Sequence, residues 1–334
     1  MISTAELGRC AAAFTRLGLG TWAIGGPWRY GWGPVDDEQS VAAIRRAVDE
    51  GINWVDTAAV YGLGHSEEVV GRALQGHAAG NEVFVCTKCG RKTRPDGSPY
   101  GDLRPQSIRE ECEASLRRLG VERIDLYQIH WPDPDDALEE AWATMAALAD
   151  EGKVRWIGAS NFDVRQLERC EAIRHVDSLQ PPLSLVQRGA LRTVIPWAAE
   201  HGTGVIVYSP MASGLLSGTF DRERLERLPD DDMRRRRPEF TEPDLSRNLA
   251  FVERLRAIAD ELGCSVGELA IAWTLAQDGV TGAIVGARRP EQLDGWIGAA
   301  GVQPSDEHLH AIDVARADTG VGADAPPPVP GKAT

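Results

Sequence analysis

Four side chains of unlike chemistry stand at or just beyond the ends of short apolar runs. Asp56 closes Asn53–Asp56, Lys88 follows Val83–Thr87, His130 ends Ile124–His130, and Tyr61 lies five residues past Asp56. Together they form a coherent set for moving a proton. A buried lysine beside a tyrosine favours the phenolate and lowers the phenol's pKa. An aspartate beside the lysine keeps it charged and oriented. A tyrosine tuned in this way can act as a general acid near neutral pH, and a nearby histidine can orient or polarise a carbonyl oxygen. Taken singly, each has a plainer reading. Asp56 before Thr57 could cap a helix or shape a turn, and Lys88 could be a strand-end charge reaching solvent. Tyr61 before Gly62 could be packing, and His130 before Trp131-Pro132 a satisfied loop histidine. Their joint placement at consecutive run ends carries the argument.

The elements that must position them alternate along the chain. Apolar runs at Leu17–Gly20, Asn53–Asp56, Val83–Thr87, Ile124–His130, Val154–Ala159, Ser178–Gln180, Gly204–Tyr208 and Ala283–Val285 are each followed by a helical pattern. The clearest are Asp37–Glu50, with Val41, Ile44 and Val48 on one face, and the stretch from Pro105 to Gly120, with Ile108, Cys112, Ser115 and Leu119 on one face. Ser66 is a plausible cap for the helix to Leu74, and a last helix is expected at Glu291–Ala300. Strands alternating with helices give a parallel sheet, and eight such units are the count of a closed α/β (β/α)8 TIM barrel. A doubly wound sheet is the structural rival. In a barrel the active site lies at the C-terminal strand ends, where the four residues above fall. Residues 209–246 form a long insertion whose run of Asp230–Asp232 and Arg234–Arg237 reads most simply as a solvated, partly self-paired surface, with a specific anion site as the alternative. The barrel is expected over residues 1–316, and the Pro/Ala/Gly-rich tail 317–334 reads as disordered.

The stretch Asp56-Thr57-Ala58-Ala59-Val60-Tyr61-Gly62 resembles the signature of the aldo-keto reductase family. Gly18-Leu19-Gly20-Thr21-Trp22 and Gly158-Ala159-Ser160-Asn161-Phe162 resemble it too, and the likeness runs from about Leu17 to about Ala300. The resemblance implies an NADP(H)-linked reduction of an aldehyde or ketone. The nicotinamide would supply the hydride and Tyr61 the proton, with Lys88 and Asp56 tuning Tyr61 and His130 orienting the carbonyl. It also implies cofactor contacts from Gly20, Thr21, Trp22 and Asp56. Ser160, Asn161 and Gln180 would meet the carboxamide, and Tyr208 would stack on the nicotinamide. Ser209, Pro210, Met211, Gly214 and Leu216 would run along the pyrophosphate. Gly286, Ala287 and Arg288, with Gln292, would lie near the adenosine 2′-phosphate. Free N–H groups at Gly-rich turns and the guanidinium fork both suit phosphate. Arg288 and Arg289 are adjacent, and either could meet that phosphate. Asp294-Gly295-Trp296 departs from the acidic and amide residues that often follow Gln292 in this family.

Other readings are narrowed by composition. The 334 residues carry 50 acidic and 36 basic side chains, a net charge of −14, which argues against a nucleic-acid or anionic-membrane partner. The apolar content suits a globular core, and no apolar run approaches the ~18 residues of a membrane helix. No secretory signal is read at the N-terminus, and the six cysteines are too sparse for a disulfide scaffold, so a cytoplasmic protein is expected. Cys86-x-x-Cys89 lacks the second ligand pair of a zinc site, and no metal is expected. Gly18-x-Gly20 lacks the third glycine of a Rossmann fingerprint, and neither a Walker A sequence nor a GxSxG elbow occurs. Trp22, Trp28, Trp32 and Trp131, joined by Tyr30, fall just past the first and fourth runs and read as an apolar wall for a small carbonyl substrate. Two rival functions remain open at this stage. One is a regulatory barrel that binds NADP(H) as a sensor with slow turnover; the other is a lyase using Lys88 as a Schiff base. The sequence leaves the oligomeric state open.

Overall fold

A computed structural model describes residues 2–28, 31–230 and 232–321. The apolar runs are strands of three to seven residues, buried along nearly their whole length. Burial on both faces is what parallel strands under a helical layer require. In chain order the barrel strands are β3 (Leu17–Gly20), β4 (Trp54–Asp56), β5 (Phe84–Cys89), β8 (Ile124–Ile129), β9 (Val154–Ser160), β10 (Ser178–Gln180), β11 (Gly204–Tyr208) and β12 (Gly282–Gly286). They close in the order β10-β11-β12-β3-β4-β5-β8-β9, every pair parallel. The sequence expectation of an eight-stranded (β/α)8 barrel holds, and the doubly wound alternative falls.

The helices are α1 (Asp37–Asp49), α2 (His65–Leu74), α3 (Pro105–Leu119), α4 (Leu138–Asp150), α5 (Val164–Glu171), α6 (Val194–His201), α7 (Arg222–Glu226), α8 (Asp244–Glu261), α9 (Val266–Leu275) and α10 (Asp306–Thr319). Two small hairpins complete the fold: β1 (Thr4–Glu6) with β2 (Ala13–Thr15), and β6 (Arg91–Thr93) with β7 (Pro99–Gly101). The first plugs the N-terminal end of the barrel. Leu7 and Phe14 are fully buried there, and Phe14 stacks on Phe84 at 4.7 Å between centroids and leans on Trp54 at 5.5 Å. The Trp54 indole N–H donates to the Thr15 carbonyl at 2.8 Å. A Cβ at Gly18 would lie 2.2 Å from the Trp54 ring, so only glycine lets β3 pass it.

Four local expectations are corrected. Ser66 does not cap α2, because Gly64 holds that place. Ser66 is instead buried and donates to the Thr21 carbonyl at 3.0 Å, tying α2 to the barrel rim. The helix expected at 291–300 is two short 3-10 stretches, Pro290–Gly295 and Ile297–Gly301, since Gly295, Gly298 and Gly301 break it up. The barrel unit also continues past residue 316. α10 runs to Thr319, Gly320 caps it at φ 67°, and Val321 is buried, because Ile312, Ala315 and Val321 join the core. Residues 322–334 of the expected disordered tail lie outside the described residues. In the insertion, Asp232 and Arg234 are buried rather than solvated: the guanidinium grips the carboxylate through two hydrogen bonds of 2.9 and 2.7 Å. Asp231 lies outside the described residues.

Candidate active site

β4 and β5 are neighbours in the barrel, with Asp56 beside Cys86 and Val55 beside Val85. With period two along a strand, Asp56 and Lys88 therefore lie close on the inward face. The Lys88 ammonium donates to Asp56 Oδ1 at 2.6 Å and to the Thr57 carbonyl at 2.8 Å, and both side chains are almost wholly buried. Gln180 reaches across from β10 and donates its amide N–H to Asp56 Oδ2 at 2.8 Å. The carboxylate is thus gripped on both oxygens. Burial works against the Lys88 charge, but Asp56 and the neighbouring phenol outweigh it, and its pKa lies above the ordinary lysine value.

Tyr61 opens a 3-10 turn in which Gly62 and Leu63 are left-handed, at φ 61° and 58°. That turn brings the phenol ring to 5.2 Å from Lys88 Nζ and sets it edge-on to the His130 ring, 5.6 Å between centroids at 78°. The expected lowering of the phenol's pKa is corrected. Burial raises it, the nearby Lys88 charge lowers it, Asp56 raises it again, and the net direction is upward. Desolvation of the phenolate exceeds what the ammonium returns. His130 is driven the other way, well below the usual histidine value, by burial and by the charges of Lys88 and Arg91. A neutral imidazole results, and its Nδ1 is buried with no hydrogen-bond partner among the described residues.

A second network joins this group to the rim of the later strands. Ser160 donates to the Gln180 carbonyl at 3.0 Å, and Asn161, left-handed at φ 63°, donates to the His130 carbonyl at 3.0 Å. The Tyr208 hydroxyl donates to Asn161 Oδ1 at 2.7 Å. Thr21 holds the Asp56 carbonyl through both its N–H, 2.9 Å, and its hydroxyl, 3.0 Å. Beyond Tyr208 the chain makes three successive left-handed residues, Ala212, Ser213 and Gly214, at φ 47°, 56° and 93°. Turn conformations of this kind direct backbone N–H groups toward anions.

Three guanidiniums stand around this rim. Arg288 is half-buried and donates to the Trp32 carbonyl at 3.2 Å. Arg234 lies 4.9 Å from the Trp32 ring centroid, and Arg237 donates to Ser213 Oγ at 2.9 Å while pairing with Glu239 at 3.1 Å. This donor set suits the phosphates of a dinucleotide. Trp22 packs edge-on to Trp32 at 5.2 Å, and Trp28 tilts over Tyr61 at 6.3 Å. Trp131 is half-buried past β8.

The aldo/keto reductase family model matches residues 16–317. The chain belongs to the aldo/keto reductase family. This aldo/keto reductase is 38% identical over 281 residues to the aldo-keto reductase YhdN of Bacillus subtilis, covering 84% of this chain and 83% of that one. It is 34% identical over 314 residues to a protein named NADH-specific methylglyoxal reductase in Escherichia coli, covering 90% and 94%. Its structure resembles that of the glycerol dehydrogenase AKR11B4 from Gluconobacter oxydans, with a TM-score of 0.88, 38% identity and 98% of each chain covered. The reductase is therefore an oxidoreductase of a family that uses a nicotinamide cofactor. No helix among the described residues is long and apolar enough to cross a membrane.

The structure brings Asp56, Tyr61, Lys88, His130, Ser160, Asn161, Gln180 and Tyr208 into one connected group. It places Gly20, Thr21, Trp22, Ser209, Pro210, Met211 and Gly214 along the same rim, with Gly286 and Ala287 at the end of β12. Leu216 differs: its side chain is fully buried in the shell, leaving only its backbone for a ligand. Gln292 braces the loop by accepting the Arg288 N–H at 2.6 Å, and Asp294 is tied to Arg46 of α1. Arg289 is exposed where Arg288 is half-buried. Tyr30 lies outside the described residues. Cys86 and Cys89 are buried free thiols.

Gln128 was missed by sequence reasoning, and Arg237 entered it only within the run Arg234–Arg237, where an anion site was the alternative reading. Its approach to the turn at Ser213 is a contact between distant segments that the charge run does not reveal. Gln128 sits beside Lys88 in the barrel register, fully buried, with neither amide atom bonded among the described residues.

Proposed function

We propose that this aldo/keto reductase reduces an aldehyde or ketone to an alcohol with NADPH, Tyr61 giving the proton to the carbonyl oxygen. The buried Asp56–Lys88 pair directly beneath Tyr61 carries this reading. A phenol whose pKa is raised is protonated at neutral pH and so has a proton to give. As it leaves, the Lys88 ammonium, fixed by Asp56 and the Thr57 carbonyl, meets the developing phenolate charge. Gln180 keeps Asp56 aimed. Neutral His130 presents a ring nitrogen to the substrate oxygen at right angles to the phenol. When bound, the nicotinamide supplies the hydride. The indoles of Trp22, Trp28, Trp32 and Trp131 form the apolar wall of a small-substrate site and keep bulk water from the reacting atoms. The named activities of two relatives, a methylglyoxal reductase and a glycerol dehydrogenase, both interconvert carbonyls and alcohols on small molecules.

The choice of NADPH over NADH rests on Arg288, the half-buried guanidinium past β12, with Arg289 beside it. One charge-assisted bond to a 2′-phosphate is worth ~1.5–3 kcal/mol, or roughly ten- to a hundredfold in affinity. The test is a carbonyl panel followed by NADPH oxidation, with dissociation constants for both nucleotides by fluorescence titration. NADPH is expected to bind at least ~10-fold tighter, with the ratio falling towards one in the Arg288→Ala/Arg289→Ala double variant. Equal wild-type affinities, or a preference for NADH as the Escherichia coli relative's name states of that protein, would overturn the cofactor assignment. Tight binding without turnover of any carbonyl would favour the sensor.

A further inference from the structure

The turn that carries Tyr61 has little of its own to hold it. Gly62, Leu63 and Gly64 are left-handed in succession, at φ 61°, 58° and 101°, and the Leu63 side chain points out, 66% exposed. A left-handed leucine is strained and persists only where its surroundings over-determine it. The constraint must therefore come from the two ends of the turn. At the near end stand Asp56 and Thr57, both gripped by the Lys88 ammonium. At the far end α2 begins, and its first turn carries two buried polar residues in succession, Ser66 and Glu67.

Ser66 holds Thr21 and lies 3.0 Å from the Thr57 hydroxyl. Glu67 faces β5 and α3 instead. Its Oε1 accepts the Thr87 hydroxyl at 2.6 Å, and its Oε2 accepts Arg118 Nε at 2.7 Å and lies 2.6 Å from Nη2. Glu67 and Thr87 are fully buried, and the Arg118 side chain is at the more open side of the pair. Thr87 is the residue before Lys88 on β5, so its hydroxyl faces the helical layer while the ammonium faces the barrel interior. Arg118 also packs against the end of the Tyr61 turn: a Cβ at Gly64 would lie 2.7 Å from its Cδ. One carboxylate thus joins the Lys88 strand, the helix that follows the Tyr61 turn, and α3.

Burying such an ion pair adds little net stability over an apolar pair of similar volume. It supplies direction. Each oxygen serves a different element, so α2 cannot slide or roll along β5 without breaking one of the bonds. α2 sets where the Tyr61 turn ends, and β5 sets where Lys88 stands. The 5.2 Å between Lys88 Nζ and the phenol ring depends on that docking.

We propose that Glu67 is a positioning residue: through Thr87 and Arg118 it fixes the height of the Tyr61 phenol over Lys88. The catalytic consequence rests on the function proposed above; the fastening itself does not. Thr87→Val keeps the shape of the side chain and removes its hydroxyl, whereas Thr87→Ser keeps the hydroxyl. In Thr87→Val, hydrogen–deuterium exchange should rise in peptides covering residues 57–67 while peptides from β8 and β9 keep wild-type protection. In parallel, kcat for a carbonyl substrate should fall roughly ten- to a hundredfold, the loss that a displacement of about 1 Å can bring, with the nucleotide dissociation constant unchanged. Thr87→Ser should restore both. Arg118→Lys keeps the charge without the two-point grip, and takes the same measurements should Thr87→Val not fold.

Wild-type exchange over residues 57–67 in the folded variant overturns the proposal. Protection lost evenly over the whole barrel, or a loss shared by Thr87→Ser, also overturns it. Local loosening with wild-type kcat removes the positioning role. Local loosening in a protein whose wild type turns over no carbonyl would uphold the fastening and sink the reductase reading instead.

Discussion

The inside of the barrel changes character over one step of two residues. At the N-terminal end the inward side chains are Trp54, Cys86, Leu126, Trp156, Ile206 and Ile284, packed around Leu7 and Phe14. Two positions further along the same strands stand Asp56, Lys88, Gln128, Gly158, Tyr208 and Gly286. Two residues along a strand are only ~6.6 Å, and over that distance non-directional apolar packing gives way to a network of hydrogen bonds and one ion pair. The lower layer is stabilised by area buried and tolerates no charge. The upper layer costs desolvation at every member and is held by geometry. The same strands thus supply rigidity below and chemistry above, and the rigid layer limits the freedom of the reactive one.

If this division is real, substitutions in the two layers should fail differently. The largest effect is expected from Tyr61→Phe, which removes one hydroxyl above the upper layer. Turnover should fall ~10²–10⁴-fold while the melting temperature stays the same. Turnover within about threefold of wild type would show that Tyr61 is not the acid. Trp54→Ala in the lower layer should reverse the pattern. Losing a fully buried indole costs ~3–5 kcal/mol of stability, read as a drop in the denaturant midpoint, yet the surviving folded fraction should turn over normally per active site. A folded variant with wild-type stability would break the claim that the lower layer bears the packing.

The smallest effect is expected at Gln128, which belongs to the upper layer by position yet whose side-chain amide has no partner among the described residues. Replacing an unsatisfied buried amide by an apolar group of similar size can be neutral or stabilising. Gln128→Met should therefore raise stability by up to ~1–2 kcal/mol in a melting experiment. A clear loss of turnover instead would make Gln128 a working member of the proton-transfer layer.

How much of this was legible in the sequence follows the same division. The eight strands were readable because burial on both faces leaves an apolar run bounded by turns. Asp56, Lys88, Tyr61 and His130 each had a plainer reading alone, and stood out because they fall together at or just past consecutive run ends. What escaped depends on contacts between distant segments. Ser66 looked like a cap because serine before a helix usually is one, and only the approach of Thr21 gives its hydroxyl another partner. The upward shift of the Tyr61 pKa reflects desolvation by the protein packed around a half-buried ring, which no local pattern encodes. Asp232 and Arg234 looked solvated in a run of charges until folding turned them inward beneath Trp32.

The hairpin of β1 and β2 also bears on where the molecule can be cut. The family match begins at residue 16, but the side chains that stopper the barrel, Leu7 and Phe14, come before it. A shortened protein trimmed to the matched segment would present the Trp54, Phe84 and Trp156 rings to water as an open greasy floor. Such a truncation invites aggregation before any chemistry can be assayed. The smallest piece that keeps its shape is longer than the segment the family model matches.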